Sequence, residues 1–160
     1  MLYTIDGVEF RFASIDYPNG DVLWVQPNLM TSTQCVVLAN TSFQERRGCC
    51  TNMDWHEATA LAAKLAQLTG LAIRLLTESE WDDVYKLEDR IESGYLAEWT
   101  STEDGLYRVS RGGYWIGSAR NGRSAVRFRN EPGLRSVSLG LRVAFRLSAL
   151  EQLAEIRKEV

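Results

Sequence analysis

The sequence predicts a single α+β domain of 160 residues, with two helices packed on a short, irregular β-sheet and a further helix at the C-terminus. Three observations lead to this class. Capping boxes precede apolar residues at helical spacing in three places. Short stretches alternate between polar and apolar residues, as strands do. Apolar residues make up 45% and charged residues 24% of the chain, which is typical of a soluble globular protein.

The N-terminal third is predicted from its turn residues. Residues 1–12 alternate in polarity and indicate a hairpin around Asp6-Gly7. The sequence Pro18-Asn-Gly-Asp21 indicates a second turn, which leads into a strand over 22–26. Residues 27–51 are predicted to be irregular, apart from a short apolar run over 35–38.

The helices follow from their N-terminal caps. Asp54 and Glu57 form a capping box whose helix ends at Gly70. A short strand over 72–76 leads to a second box, Thr77-Glu-Ser-Glu80, which opens a helix to about residue 88. A third box, Ser148-Ala-Leu-Glu151, starts a C-terminal helix over 148–160, so the main domain is 1–147. The apolar residues of that last helix recur at helical spacing: Leu150, Leu153, Ile156 and Val160.

Charge is divided unevenly along the chain. The net charge is −3, yet residues 107–147 contain nine arginines, no lysine and the single acid Glu131. Arginine without lysine favours bidentate pairing with carboxylates inside the protein. Partners are expected among Glu78, Glu80 and Glu98, for Arg108, Arg111, Arg123, Arg127 or Arg142. A nucleic-acid face is the alternative interpretation.

Thiol and imidazole groups give no catalytic pattern. The cysteines are Cys35, Cys49 and Cys50, an odd number that suggests reduced thiols rather than a disulfide framework. The one histidine, His56, is expected to be an exposed or partly buried helix residue. The sequence therefore predicts no metal and no cofactor, and no apolar stretch approaches the roughly 18 residues of a membrane span.

Four stretches in register carry a family resemblance. They are Asn52-Met-Asp-Trp-His-Glu-Ala58, Arg74-Leu-Leu-Thr-Glu-Ser-Glu-Trp81, Gly94-Tyr-Leu-Ala-Glu-Trp-Thr100 and Arg108-Val-Ser-Arg-Gly-Gly-Tyr-Trp115 with its continuation to Ala144. Together they resemble the formylglycine-generating-enzyme, or sulfatase-modifying-factor, family. The resemblance implies a variant of the C-type lectin fold, with Trp81, Trp99 and Trp115 buried and a tight turn at Gly112-Gly113.

The resemblance does not extend to the enzyme's chemistry. Formylglycine-generating enzymes use two copper-binding cysteines in the segment after the Gly-Gly motif. Here residues 108–147 contain no cysteine. A scaffold without those groups suggests a binding module.

Within the family, the C-terminal segment is most similar to the variable proteins of diversity-generating retroelements. Their frame resembles Trp115, Ala119–Asn121, Arg123–Ala125, Arg127, Pro132, Arg135, Gly140 and Arg142. The resemblance implies that the residues between are diversified and bind ligand. These twelve candidate positions are Tyr114, Ile116, Gly117, Ser118, Gly122, Val126, Phe128, Arg129, Leu134, Ser136, Val137 and Ser138.

The residue types at the candidate positions agree with this interpretation. Mutation of adenines in asparagine codons cannot produce Met, Trp, Gln, Lys or Glu, and none of the twelve positions holds one of these. We expect these side chains to share one solvent-facing surface, with Trp115, Arg120, Arg123, Arg127 and Arg142 pointing inward. The alternation Val126-Arg127-Phe128 suggests a strand with one exposed face.

The leading function is therefore non-catalytic binding of a ligand, and the expected ligand is a protein or other macromolecule, with nucleic acid and membrane disfavoured as partners. An enzyme of the formylglycine-generating type and a nucleic-acid binder remain as alternatives. The N-terminus lacks signal-peptide features, so the expected location is the cytoplasm, with a phage particle or export as further destinations.

Overall fold

A computed structural model describes residues 1–87, 96–113 and 126–158, with side chains to residue 155. The helices are α1 (Ser32–Ala39), α2 (Trp55–Thr69), α3 (Glu78–Tyr85) and α4 (Ala149–Lys158). The strands are β1 (Leu2–Ile5), β2 (Val8–Arg11), β3 (Ala13–Asp16), β4 (Val22–Val25), β5 (Gln44–Arg46), β6 (Cys49–Thr51), β7 (Arg74–Leu75), β8 (Ala97–Asp104), β9 (Tyr107–Gly112), β10 (Arg127–Asn130), β11 (Leu139–Leu141) and β12 (Val143–Leu147). Among these described helices, none has the length and apolarity needed to cross a bilayer.

Two four-stranded sheets form the framework. The first has the order β3-β4-β12-β7 and the second the order β10-β9-β8-β11. In the second sheet β11 runs parallel to β8, whereas β9 is antiparallel to both β8 and β10. Two hairpins, β1-β2 and β5-β6, complete the strands. The second sheet supports the segment that carries the described candidate positions.

The main core lies between helix α2 and the strands. Its buried members include Phe10, Leu65, Trp99 and Phe145. Each fully buried side chain of this kind contributes about 1.5–3 kcal/mol relative to an exposed one. A smaller cluster around Trp81 packs under helix α3. The burial expected for Trp81 and Trp99 is confirmed, and Trp115 lies outside the described residues.

The predicted caps of α2 and α3 form as expected. Asp54 accepts from the backbone amide of Glu57 at 2.9 Å, and the Glu57 carboxylate accepts from the Asp54 amide at 3.0 Å. Gly70 ends the helix in the left-handed conformation with φ +73°. The strand predicted over 72–76 is shorter, Arg74–Leu75, and α3 ends at Tyr85 rather than near residue 88 as predicted.

The prediction of irregular backbone over 27–51 is wrong. Helix α1 begins after Thr31, whose hydroxyl accepts from the Gln34 amide while the Gln34 side chain accepts from the Thr31 amide. The apolar run over 35–38 lies in this helix. Strands β5 and β6 follow, joined by Arg47 and Gly48, both at positive φ. The described part of the chain therefore has one more helix than the sequence predicts there.

The predicted turn at Gly112-Gly113 is confirmed, and its backbone conformation requires glycine. Both glycines have positive φ, +81° and +80°. A Cβ on Gly113 would lie 2.0 Å from the backbone nitrogen of Ala97, so no other residue fits between these backbones. This close approach fixes where the chain leaves β9.

Candidate ligand-binding surface

Strand β10 and the residue before it, Val126, carry three candidate positions on the side of β9 away from β8. The strand pairs antiparallel with β9, with Phe128 opposite Ser110 and Asn130 opposite Arg108. The Asn130 amide nitrogen donates to Ser110 Oγ at 2.7 Å and locks this register. Phe128 is 37% exposed, and Val126 is half-buried.

The third of these positions, Arg129, is exposed, but its guanidinium group contacts two neighbouring side chains. Its Nε lies 2.9 Å from Asp104 Oδ2, and its guanidinium carbon lies 4.6 Å from the centre of the Tyr107 ring. Cation–π contacts at such distances are attractive. Both Asp104 and Tyr107 belong to the β8-β9 hairpin, which the sequence did not single out.

The expectation that Arg127 points inward is wrong. Its side chain is exposed, and it donates to Glu78 Oε1 at 2.7 Å and to Asp104 Oδ2 at 3.2 Å. These hydrogen bonds raise the pKa of its guanidinium. The alternation of buried and exposed side chains predicted for 126–128 is absent, because Val126 is half-buried and both Arg127 and Phe128 are exposed on a strand that lies at the sheet edge among the described residues.

The loop 131–138 carries the remaining four described positions. Leu134 and Val137 are 42% and 49% exposed, while Ser136 and Ser138 are half-buried. Three apolar candidates, Phe128, Leu134 and Val137, therefore present large apolar side chains to solvent. Exposed apolar patches of this kind mark interaction sites when they are contiguous.

Main-chain hydrogen bonds hold this loop in place. The Ser136 carbonyl accepts from the amides of Asn52 and Leu139, at 3.0 and 3.1 Å. The Ser138 carbonyl accepts from the Ala97 amide at 2.9 Å, and the Pro132 carbonyl from the Trp55 amide at 2.9 Å. These contacts use groups that every residue carries, so they do not depend on the candidate side chains.

Arg135 fastens the same loop to the N-terminus of α2. Its guanidinium is 2.9 Å from Glu57 Oε1 and 3.2 Å from Asp54 Oδ2. The hydrogen bonds to Glu57 raise the pKa of this arginine. Two residues of the α2 capping box therefore also anchor the loop.

Arg142 is the buried anchor between the two sheets. Its Nε and Nη2 donate to the two oxygens of Glu98, each at 3.0 Å, and its Nη1 donates to the carbonyls of Gln26 and Pro27. The side chains of Arg142 and Glu98 are 1% and 2% exposed. Fully paired guanidinium of this kind is tolerated in a core.

The prediction that the arginines pair internally is confirmed for the described residues. Arg111 lies over the Trp81 ring and binds Glu78 and Asp82. Glu80 is the exception to the predicted partners, because it pairs with Arg74 and Arg146 instead. The described arginines of 108–142 that lie within 4.0 Å of a carboxylate are Arg108, Arg111, Arg127, Arg129, Arg135 and Arg142.

The remaining candidate positions and frame residues lie outside the described residues. These are Tyr114, Ile116, Gly117, Ser118 and Gly122, together with the frame residues Trp115, Ala119–Asn121 and Arg123–Ala125.

All three cysteines precede the segment after Gly112-Gly113, where the enzyme's cysteines are expected. Cys35 and Cys50 are fully buried, and Cys49 is half-buried on the opposite face of β6. The hydrogen bond to Cys50, followed by burial, raises the pKa of the Cys35 thiol. Within 1–87, 96–113 and 126–155, no three His, Cys, Asp or Glu side chains group as a metal site would require.

The sequence analysis did not identify the residues that border the candidate positions. Arg46 of β5 donates to Ser138 Oγ at 2.6 Å, which places the β5-β6 hairpin beside the loop 131–138. Asp104 and Tyr107 border the surface at its other end. The dipeptide Asp104-Gly105 is the sequence signal that indicates the hairpin at this second border.

This arrangement of sheets, helices and arginine anchors defines a C-type-lectin-like α+β domain, as the sequence motifs predict. Solved structures with this fold include Treponema denticola variable protein 1, with a TM-score of 0.71 and 19% identity over 92% of this chain and 99% of that one. PvdO from Pseudomonas aeruginosa has a TM-score of 0.66 at 13% identity, covering 92% and 98% of the two chains. CarF has a TM-score of 0.64 at 13% identity, covering 87% and 97%.

No protein-family model matches the sequence, and no curated protein matches it significantly. At the identities of the structural matches, the likeness establishes the fold.

Proposed function

We propose that this protein binds a macromolecular ligand without catalysis, as a variable protein of a diversity-generating retroelement, through the surface formed by the twelve candidate positions. The observation that carries the proposal is the separation of two roles in 126–142. Side chains at the described candidate positions are exposed or half-buried. The main chain of this segment forms hydrogen bonds with the rest of the domain, and the frame residues Arg135 and Arg142 form ion pairs with it.

Physical chemistry explains why this separation suits a diversified surface. A buried position is damaged by changes of even one methylene, whereas exposed positions tolerate most residues. The loop 131–138 depends on the carbonyls of Ser136 and Ser138 and on Arg135, not on the side chains of Leu134 or Val137. The similarity to a protein described as a variable protein supports the same interpretation.

The other two functions receive less support. Cys35 and Cys50 are buried and hydrogen-bonded to one another, in elements that precede the segment where the enzyme's cysteines are expected. The described arginines of 108–142 already pair with carboxylates, which lowers their capacity to attract phosphate.

A matched pair of libraries tests the surface. One library randomises Val126, Phe128, Arg129, Leu134, Ser136, Val137 and Ser138 through asparagine codons mutated at both adenines. The control library applies the same codons to seven buried residues, Phe10, Leu23, Leu65, Leu75, Val109, Leu141 and Phe145. We expect most clones of the first library to stay soluble and unfold cooperatively, and nearly none of the second. Equal loss of folded clones in both would contradict the proposal.

Flanking DNA tests the retroelement itself. We expect a reverse-transcriptase gene and a near-copy of the segment encoding 108–142, with asparagine codons at the candidate positions. If several kilobases of flanking DNA contain neither the reverse-transcriptase gene nor the near-copy, the retroelement part of the proposal is wrong, and the protein is a binding protein that no retroelement diversifies.

A further inference from the structure

Two of the three cysteines meet in the core where α1 packs against β6. Cys35 of α1 and Cys50 of β6 are fully buried members of the main core, and their thiols are hydrogen-bonded to each other. The structure holds both as free thiols. Two sulfurs in direct contact need only a small closing movement to reach the roughly 2 Å of a disulfide bond.

Main-chain contacts hold α1 and β6 side by side. The Cys50 amide donates to the Met30 carbonyl at 2.9 Å, and Thr31, the N-cap of α1, forms an antiparallel bridge with Cys49. Cys35 follows one helical turn after Thr31, and its amide donates to the Thr31 carbonyl at 3.0 Å, so both residues lie on the same side of α1. The backbone of the two elements therefore brings the two thiols together.

We propose that Cys35 and Cys50 are a site of disulfide formation, and that the bond ties α1 to the β5-β6 hairpin when the chain folds in the presence of glutathione disulfide. A cysteine thiolate of the partly folded chain attacks glutathione disulfide, forms a mixed disulfide and releases one glutathione thiolate. The second cysteine thiolate then attacks the protein sulfur of the mixed disulfide and releases the second glutathione. The protein loses two electrons and two protons, and both are taken up as two glutathione thiols.

Burial determines when this bond can form. The hydrogen bond to Cys50, followed by burial, raises the pKa of the Cys35 thiol, which keeps that thiol protonated in the folded domain. Because the thiolate is the attacking form, the folded and reduced protein should react slowly with glutathione disulfide at both buried positions. Cys49 is only half-buried, on the opposite face of β6, so its thiol is the one that the folded protein offers to solvent.

The bond would also fix one border of the candidate surface. Arg46 of β5 lies opposite Cys49 in the hairpin and donates to Ser138 Oγ at 2.6 Å. Closing a loop of about 15 residues restricts the unfolded chain, so the bond should stabilise the folded domain. The hairpin beside the loop 131–138 would then be attached to α1 by a covalent bond in addition to its main-chain contacts.

Refolding of the full chain from urea, with and without glutathione disulfide, tests the proposal. We expect peptide mass mapping without reductant to show the Cys35 peptide linked to the peptide of β6 after oxidative refolding. The melting temperature should rise by about 5–10 °C relative to the protein refolded under reduction. Cys49→Ser and Cys50→Ala are matched variants at neighbouring positions of one strand. The first should keep the link and the second should lose it.

Timing is tested on protein that is already folded and reduced. In the same glutathione buffer we expect it to keep Cys35 and Cys50 as thiols over the period in which refolding chains are oxidised. Circular dichroism verifies that the reduced variants fold, and mapping of Cys49→Ser alone decides the pairing if Cys50→Ala does not. Oxidative refolding that leaves both thiols free, that links Cys49 instead, or that lowers the melting temperature would overturn the proposal.

Discussion

Arg142 illustrates how single residues stabilise irregular backbone in this fold. Its guanidinium occupies both oxygens of Glu98 and two carbonyls of the segment that follows β4. One buried side chain, between β11 and β12, thus joins β8 to the segment 26–27. Because the charge of Arg142 is buried, the folded state requires acceptors of this kind around it.

We expect Glu98→Ala to lower the free energy of unfolding by about 3–5 kcal/mol, because it leaves the buried Arg142 charge without its carboxylate. Urea denaturation measures the change. Replacing both residues by Met should cost less than the single substitution. As a control, Glu9→Ala removes an exposed pair with Arg11 and should cost less than about 0.5 kcal/mol. Similar losses for Glu98→Ala and Glu9→Ala would refute the role of burial.

Gly7 and Gly113 have nearly the same φ, so substituting each by alanine separates the cost of backbone strain from the cost of a steric clash. Gly7 has φ +79° with no atom within 4 Å of an added Cβ, whereas Gly113 has φ +80° and meets Ala97. We expect Gly7→Ala to cost about 1–2 kcal/mol. Gly113→Ala should cost more than about 4 kcal/mol or prevent folding, as measured by thermal unfolding. Equal costs would mean that β8 moves aside to make room.

Tyr17 should make stability dependent on alkaline pH. Burial, reinforced by its hydrogen bond to Asp83 at 2.8 Å, raises the pKa of Tyr17 from 10 to about 12. Because the folded pKa lies above the unfolded one, the contribution is complete below pH 10 and disappears as pH rises towards 12. The stability difference between wild type and Tyr17→Phe, from urea denaturation, should shrink across this window. A constant difference would argue against the shifted pKa.

The residue scale also shows what sequence reasoning can reach. An excess of arginine over lysine correctly predicts internal pairing, and Glu98 and Glu78 are correctly chosen as partners. The assignment of Glu80 fails because strand β12 brings Arg146, and β7 brings Arg74, to its carboxylate. Register between distant strands decides these contacts, and no local pattern encodes it.

Helices illustrate the same limit at the scale of elements. Helix α2 is predictable because a capping box, an apolar face and a terminal glycine agree. Helix α1 has the same kind of cap at Thr31 and Gln34, but its eight residues include Val36 and Val37, which suit a strand equally well. Packing of Cys35 and Leu38 into the core stabilises the helix over the strand.

The loop 131–138 should depend on its link to α2. We expect Arg135→Gln to accelerate amide hydrogen exchange at Asn52 and Trp55, whose N–H groups donate to Ser136 and Pro132 of the loop. Exchange in the β1-β2 hairpin provides the internal control and should not change. Unaltered exchange at Asn52 and Trp55 would show that the main-chain bonds hold the loop without Arg135.

At the scale of the whole molecule, charge is balanced between the two halves of the chain. The acidic residues of α2 and α3 meet the arginines of β9, β10 and the loop 131–138, and the net charge is −3. Ion pairs thus connect elements that are distant in the sequence. The order of four motifs predicts this architecture, whereas the contacts between the motifs depend on the tertiary fold.

This balance predicts weak attraction to nucleic acid. Non-specific binding of DNA requires basic groups that are free to displace counterions. We expect fluorescence anisotropy of a labelled random duplex to show no binding with protein at about 10 µM and salt at about 0.1 M. Binding that weakens steeply with salt would instead favour the nucleic-acid function.

The carbonyls of Ser136 and Ser138 bond to amides of Asn52 and Ala97, in elements outside the candidate positions. Every amino acid carries that acceptor, so an inherited change at either codon leaves both bonds available. Newly arisen versions of the gene can then reach selection as folded proteins, and selection acts on what each one recognises. The number of sequence variants of this loop can therefore increase without a proportional loss of variants that fold.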